Sequence, residues 1–455
     1  MKFLITPIAV IILTVLTVFP TGQTHASILD IQTVKTEKNI TAWLVEDQTV
    51  PVISMKFSFK GAGSINDPDD KQGVSQLLSN TLDEGAGDLS AKEFQAALND
   101  NSISLSFSSS RDNFGGSLKT LVKYQDTAFD LLRLSLTQPL FEKDALRRMK
   151  ESNIARIKSN MSDPEWLEAR LANATLFKNH PYARNSGGTL SSLPKITAQD
   201  LHQKLKGQLG RDRLIIAVAG NISATDLARR LDEVFGDLPE TSQVVSMTEA
   251  QFPDGELIVQ HVKEIPQTVI GRAYPGISIK SLDYFKAEIL NYILGGAGFG
   301  SRLTESIREQ RGLTYGIFSD LSELDYANML TIGTSTRSEK VDEVLSLIDE
   351  ETLKLANEQV TPQELAEAKS YLVGSVPLGL TSTDGIAAMM MGFQSYSLPQ
   401  NYLDIRDEGI KAATRKDVLD SAKVLLDQKK KVTILVGRAL ENRPVQFVEK
   451  LPDIQ

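Results

Sequence analysis

Two stretches of this chain, about 220 residues apart, carry the same pattern. "ITAQDLHQKLKGQLGRDRLIIAVAGN" (196–221) and "ATRKDVLDSAKVLLDQKKKVTILVGR" (413–438) each read as an N-capped amphipathic helix, a polar turn and a buried strand. A second pair keeps nearly the same offset: the charged helical runs "FEKDALRRMKESNIARIKSN" (141–160) and "TPQELAEAKSYLVGSV" (361–376). One match of this kind is weak evidence, but two at one offset favour an internal duplication. Duplication restricts the 455-residue chain to two similar halves, each of ordinary domain size.

Each half opens on strand-like segments, "ITAWLVED" and "PVISMKFSF" in the first, "ELIVQHV" and "TVIGRAY" in the second. Helical runs follow, then alternating stretches such as "SISLSFSSS" (102–110) and "YGIFSDLSE" (315–323). This order predicts an α+β fold in which each half is a sheet with helices packed on it. The predicted division is a signal peptide at 1–26, an N-terminal domain at 27–238, a linker at 239–255 and a C-terminal domain at 256–455. The linker is polar and carries Pro239, Pro253 and Gly255.

The first residues read as an export signal: Lys2, an apolar run from Phe3 to Phe19, and a small-residue site ending at Ala26. The apolar run is shorter than the roughly 20 residues of a spanning helix, so cleavage and release, to a bacterial periplasm, is the expectation. No later segment is apolar enough to span a bilayer. With no cysteine, an exported chain has no disulfides and must rely on its hydrophobic cores. The net charge of −9 offers no general attraction for phosphates and argues against nucleic-acid partners. The run Lys429-Lys430-Lys431 reads as the solvated start of a strand.

One helix invites metal chemistry without supplying it. In "GVSQLLSNTLDEG" (73–85), Val74, Leu77, Leu78 and Leu82 mark an apolar face, while Gln76, Ser79 and Asn80 share another at i, i+3 and i+4. That is the spacing of H-x-x-E-H zinc sites, yet all three positions carry neutral polar groups. After signal removal only His180, His202 and His261 remain, none at ligand spacing from another. Amides are poor zinc ligands and a serine is no general base, so no catalytic metal is expected here. No nucleophile elbow is present either, and "GGAGFGSR" (295–302) lacks the ending of a phosphate loop. A flexible loop giving backbone access to a substrate or neighbour suits it better. Three further features read as structural: the run Met389-Met390-Met391 as buried packing, His180 as a helix-end hydrogen bonder, and Trp43 and Trp166 as core aromatics.

"SRLTESIREQRGLTYGIFS" (301–319) reads as a helix stopped at Gly312, with Tyr315 entering a strand. On periodicity alone Arg308 is a surface ion-pair former and Tyr315 a core aromatic with a solvated hydroxyl. Together, however, "GVSQLLSNTLDEG", "HPYARNSGG" (180–188), "VTPQELAEAKSYL" (360–372) and "GFGSRLTESIREQRGLTYGI" (298–317) resemble the pitrilysin/insulinase-like zinc peptidases, the inverzincins. Within them the chain is similar to the short, separately encoded subunits of the mitochondrial processing peptidase type. The resemblance implies that Arg308 and Tyr315 match the Arg/Tyr pair that reaches a catalytic chamber and contacts substrate. It implies that Gln76 and Asn80 stand where two zinc histidines would be, Ser79 where the catalytic Glu would be, and Arg156 where the third ligand would be. The resemblance also places Gly296 and Gly298 in a glycine-rich loop, shorter than the family's, and implies a substrate-guiding role for it.

The implied role is the non-catalytic subunit of a heterodimeric, exported zinc endopeptidase. This chain would hold no cofactor, zinc would sit in a similar-sized partner, and the substrate would be a peptide. The rival reading is a peptide-binding or scaffolding pseudopeptidase of the cell envelope without proteolysis.

Overall fold

The alternation in "VISMKFSF" makes β3 (Val52–Phe59), a strand whose side chains are buried on both faces apart from two half-buried positions. The computed structural model describes residues 28–451; the predicted signal peptide lies outside them. Around β3 the first sheet gathers β1 (Gln32–Lys35), β2 (Thr41–Glu46), β6 (Ser104–Ser109), β7 (Phe114–Leu121) and β8 (Leu214–Gly220). Its order is β1-β2-β8-β3-β7-β6, and β4 (Gly85–Ala86) and β5 (Leu89–Ser90) form a small separate ribbon. The second sheet contains β9 (Leu257–Val262), β10 (Gln267–Pro275), β11 (Ile317–Leu324), β12 (Ala327–Arg337), β13 (Val432–Gly437) and β14 (Gln446–Phe447). Read from the other edge its order is β14-β9-β13-β10-β12-β11, which repeats the first sheet except at the edge, where β1 is antiparallel to β2 and β14 is parallel to β9. In each sheet the last long strand of the half returns parallel beside the first, β8 against β2 and β13 against β9. The fold is therefore α+β with two like halves, and the two helix-turn-strand repeats are Ala198–Gln208 with β8 and Arg415–Leu425 with β13.

On one face each sheet carries helices of its own half, and these make the two main cores. The opposite face is covered by a helix from the other half. Thr383–Ser395 lies on β8 and β3, and Pro164–Leu176 lies on β13, β10 and β9. Close approach is permitted by small residues. Ala217 and Ala219 on β8 meet Ile386, Ala387 and Met390 in a dry cluster. Polar contacts fix the register: Ser54 Oγ lies 2.9 Å from Thr383 Oγ1, and Gln394 donates to the Ile216 carbonyl at 2.9 Å. The two covering helices are about 220 residues apart, so the exchange follows the duplication.

Between Phe235 and Leu257 the backbone forms no regular element. It is nonetheless tied down, by Gln243 N–H to the Gly207 carbonyl, Val245 N–H to Asn66 Oδ1 and Ala250 N–H to the Tyr326 carbonyl.

Two sequence readings need correction. Lys431 is not solvated: it is buried, with Nζ 2.8 Å from Asp349 Oδ1. Burial works to raise the Asp349 pKa, but Arg272 and Lys431 outweigh it and hold the carboxyl below its ordinary value. Trp43 and Trp166 are half-buried rather than internal, because each packs at a seam between the halves, Trp43 beside Thr383–Ser395 and Trp166 on Pro164–Leu176. Met390 is fully buried, with Met389 and Met391 half-buried at its sides.

Candidate functional site

The helix that would hold a metal is short, Val74–Ser79, and is set by an inner carboxylate. Asp67 Oδ2 accepts from the N–H groups of Gly73 and Ser75 at 3.1 and 3.2 Å, satisfying backbone donors at the helix start. Asp67 Oδ1 accepts from Ser75 Oγ and from Lys204 Nζ, the latter at 3.0 Å in an ion pair that solvent scarcely reaches. Burial pulls the Lys204 pKa down against the opposing pull of Asp67. Gly73 has φ +91°, and a Cβ there would fall 2.7 Å from Gly188 Cα, so the turn needs glycine on both counts. The helix ends where the Thr81 hydroxyl donates to the Leu77 carbonyl.

At the end of that helix the four altered positions meet, Arg156 arriving from Lys143–Asn160. Gln76 Nε2 donates to Asn80 Oδ1 at 2.9 Å and to Ser79 Oγ at 3.3 Å, and Ser79 Oγ donates to the Gln76 carbonyl at 2.8 Å. Asn80 Nδ2 donates to Asn153 Oδ1 at 3.1 Å, and Arg156 Nη2 reaches the same oxygen at 3.3 Å. Both Asn153 and Arg156 lie on Lys143–Asn160. Gln76, Ser79, Asn80 and Arg156 are thus one hydrogen-bonded patch joined through Asn153. The sequence reading missed Asn153, whose one available signal was its place one turn before Arg156.

This donor set does not fit zinc. The carbonyl oxygens of Asn80 and Asn153 are occupied by N–H and O–H donors, and the one charged group is a guanidinium, which repels a dication. Among the described residues no group of three His, Cys, Asp or Glu is placed to hold a metal. The three histidines serve other contacts. His180 Nδ1 accepts from the Tyr182 N–H at a helix start, His202 packs edge-on against Phe141, and His261 Nδ1 lies 2.9 Å from the Val448 carbonyl.

The second half displays the other sequence candidates. Leu313 and Ile317 are buried anchors, and between them Tyr315 stands 87% exposed, so it is no core aromatic. Arg308 sits in a π-type helical turn, Thr304–Glu309. Its guanidinium lies 4.6 Å from the centre of the Phe299 ring, and Nε is 3.5 Å from Glu309 Oε1. Phe299 belongs to the glycine-rich turn Gly298–Gly300, so that loop and Arg308 are in contact. Gly298 takes φ +59° with open space around it, while a Cβ on Gly296 would press on Asn291 Nδ2 at 3.0 Å.

A cleft of about 560 Å³ lies between Pro164–Leu176 and the outer face of the second sheet, with Gly316 and Phe318 at one side. Its unexpected occupant is Glu168, pushed up to about 7 by burial and, less, by Glu165. The carboxyl rests on Gly271, where a Cβ would come within 1.9 Å of Oε1. Sequence gave no signal for it, since the covering helix comes from the other half.

A duplicated sheet-and-helix fold, with a peptidase helix stripped of its ligands, defines a peptidase-like chain without its metal centre. Two family descriptions match consecutive stretches, "Insulinase (Peptidase family M16)" over 47–189 and "Peptidase M16 inactive domain" over 195–372, and the chain belongs to this family. It is 28% identical over 386 residues to the "Non-peptidase homolog YmxG" of Helicobacter pylori, covering 83% of this chain and 87% of that protein. It is 24% identical to the "Mitochondrial-processing peptidase subunit beta" of Neurospora crassa, covering 81% and 80% respectively. A crystal structure described as the peptidase M16 inactive domain from Pseudomonas fluorescens superposes with a TM-score of 0.85 at 26% identity, over 91% of this chain and all of that one.

Proposed function

We propose that this chain is the non-catalytic member of a two-subunit zinc endopeptidase, exported to the periplasm, and that it lends Arg308 and Tyr315 to a site whose metal its partner holds. The carrying observation is a contrast within one molecule. The metal positions are closed into a patch of amides and a guanidinium, whereas Tyr315 projects into solvent and Arg308 is supported by Phe299 of the glycine-rich loop.

A partner's zinc would supply polarisation of the scissile carbonyl and activation of water. Arg308 binds and orients peptide carbonyl groups through charge-assisted hydrogen bonds. The Tyr315 hydroxyl donates a hydrogen bond to the oxygen on which negative charge develops. Gly296 and Gly298 let the loop backbone approach the peptide.

The test is reconstitution with a similar-sized, zinc-binding M16 subunit. Neither chain alone cleaves a peptide and the pair does. Arg308→Ala and Tyr315→Phe each lower turnover by about 10²-fold without dissociating the pair. Unchanged turnover in both variants refutes the assigned roles.

A second reading is a pseudopeptidase that binds peptides or scaffolds an envelope complex. It draws support from the relative described as a non-peptidase homolog. It predicts peptide binding with no cleavage in any pairing.

A further inference from the structure

We propose that the former metal position now binds a carboxylate, either the C-terminal carboxylate of a peptide or an acidic side chain. The inference rests on the mismatch with zinc described above and needs neither Arg308, Tyr315 nor a partner subunit.

The patch has a surplus of donors. Arg156 offers five N–H groups and makes one long hydrogen bond, to Asn153 Oδ1 at 3.3 Å; among the described residues it has no carboxylate partner. Asn153 is 2% exposed, and its Nδ2 is buried with no acceptor. Asn185, 8% exposed, likewise has a buried Nδ2 without a partner. Gly187 joins these groups: a Cβ there would lie 3.6 Å from both Arg156 Nη2 and Asn185 Oδ1. Two buried amide donors are left unpaired near the exposed guanidinium of Arg156, although buried polar atoms are nearly always satisfied.

A carboxylate is the complement of such a set. It accepts only, at about four lone-pair sites, and its planar fork matches a guanidinium. Gln76 and Asn80 hold each other in place and, with Asn153, steady the patch, so the arrangement is built before any ligand arrives. A cation is excluded by Arg156. The charge of the position has been inverted, from one that takes a dication to one that takes an anion.

The whole chain, labelled at arginine Nε with ¹⁵N, is titrated with three probes: N-acetyl-tetraalanine with a free C-terminus, its C-terminal amide, and an amidated peptide of the same length carrying one aspartate. Inorganic phosphate is the control anion. The Arg156 resonance is assigned by its loss in Arg156→Lys. The free acid, the aspartate peptide or both shift it saturably, at about millimolar Kd for a single charge-assisted contact, and the amide does not. Which of the two acids binds identifies the source of the carboxylate. Because Arg156→Gln removes the reporter, the variants are read from the peptide's own methyl resonances: Arg156→Gln weakens binding about tenfold or more, and Gly187→Leu, which fills the gap between Arg156 and Asn185, does the same with the guanidinium intact. The proposal is overturned by no saturable response to either acid, by an equal response to the amide, by tighter binding of phosphate, or by unchanged affinity in both variants.

Discussion

Glu168→Gln should stabilise this protein at pH 8 and leave its stability unchanged at pH 4.5. Glu168 has no hydrogen bond or ion pair within the described residues, and its half-buried carboxyl rests on Gly271. Its pKa rises from 4.5 to about 7, first through burial and then through Glu165. An acid whose folded-state pKa is raised binds its proton more tightly folded than unfolded. Between pH 4.5 and about 7 the native state therefore carries more protons, and stability falls as pH rises through that window. The rise from 4.5 to about 7, at about 1.4 kcal/mol for each tenfold change in proton affinity, gives a penalty of at most ~3.5 kcal/mol, fully present above pH 7 and absent below 4.5. Glutamine keeps the shape and removes the charge. Urea unfolding followed by fluorescence of Trp166, two residues away on the same helix, reports on the region directly. Comparing variant with wild type at each pH cancels the other carboxylates. Arg111 also lines the cleft, and Arg272 reaches across the sheet to Asp349 instead. A variant-minus-wild-type difference that is the same at pH 8 and pH 4.5, or that reverses sign, would refute the reasoning.

Three other expectations follow from named contacts. Asp67→Ala leaves the Lys204 ammonium buried and unpaired and removes the acceptor at the start of Val74–Ser79, so thermal or urea unfolding should show a loss of about 3–5 kcal/mol. Ala217→Leu drives Thr383–Ser395 away from β8 and should cost about 1–3 kcal/mol, with hydrogen exchange rising first in that helix. The combined variant Gln76→His, Ser79→Glu, Asn80→His and Arg156→Glu should take up one equivalent of zinc by metal analysis where the wild type takes none; failure would mean that the helix has lost the geometry as well as the ligands.

How much of this could be read from the chain differs from place to place. The helix-turn-strand repeats were legible because capping residues and buried strands leave local signals, Thr197 and Thr414 each closing a capping box three residues before an Asp. The loss of metal ligands was legible too, since ligand chemistry is a matter of residue type at i, i+3 and i+4. Asn153 and Asn185 were not, because an amide carries no pattern until its neighbours are known.

By itself the sequence determined two similar halves, each a sheet with helices, and a helix with neutral groups at the metal-ligand spacing, because propensity, period and ligand chemistry act over a few residues. Tertiary structure alone decided that each half covers the other's sheet, since that contact joins residues such as Ser54 and Thr383 far apart in the chain. From that exchange come the burial of Glu168 against Gly271 and the half-buried positions of both tryptophans. The same long-range packing draws Arg156 and Asn80 to one amide oxygen. The physical reason is that burial and charge pairing are set by whichever surface arrives from elsewhere, and no local pattern records its arrival.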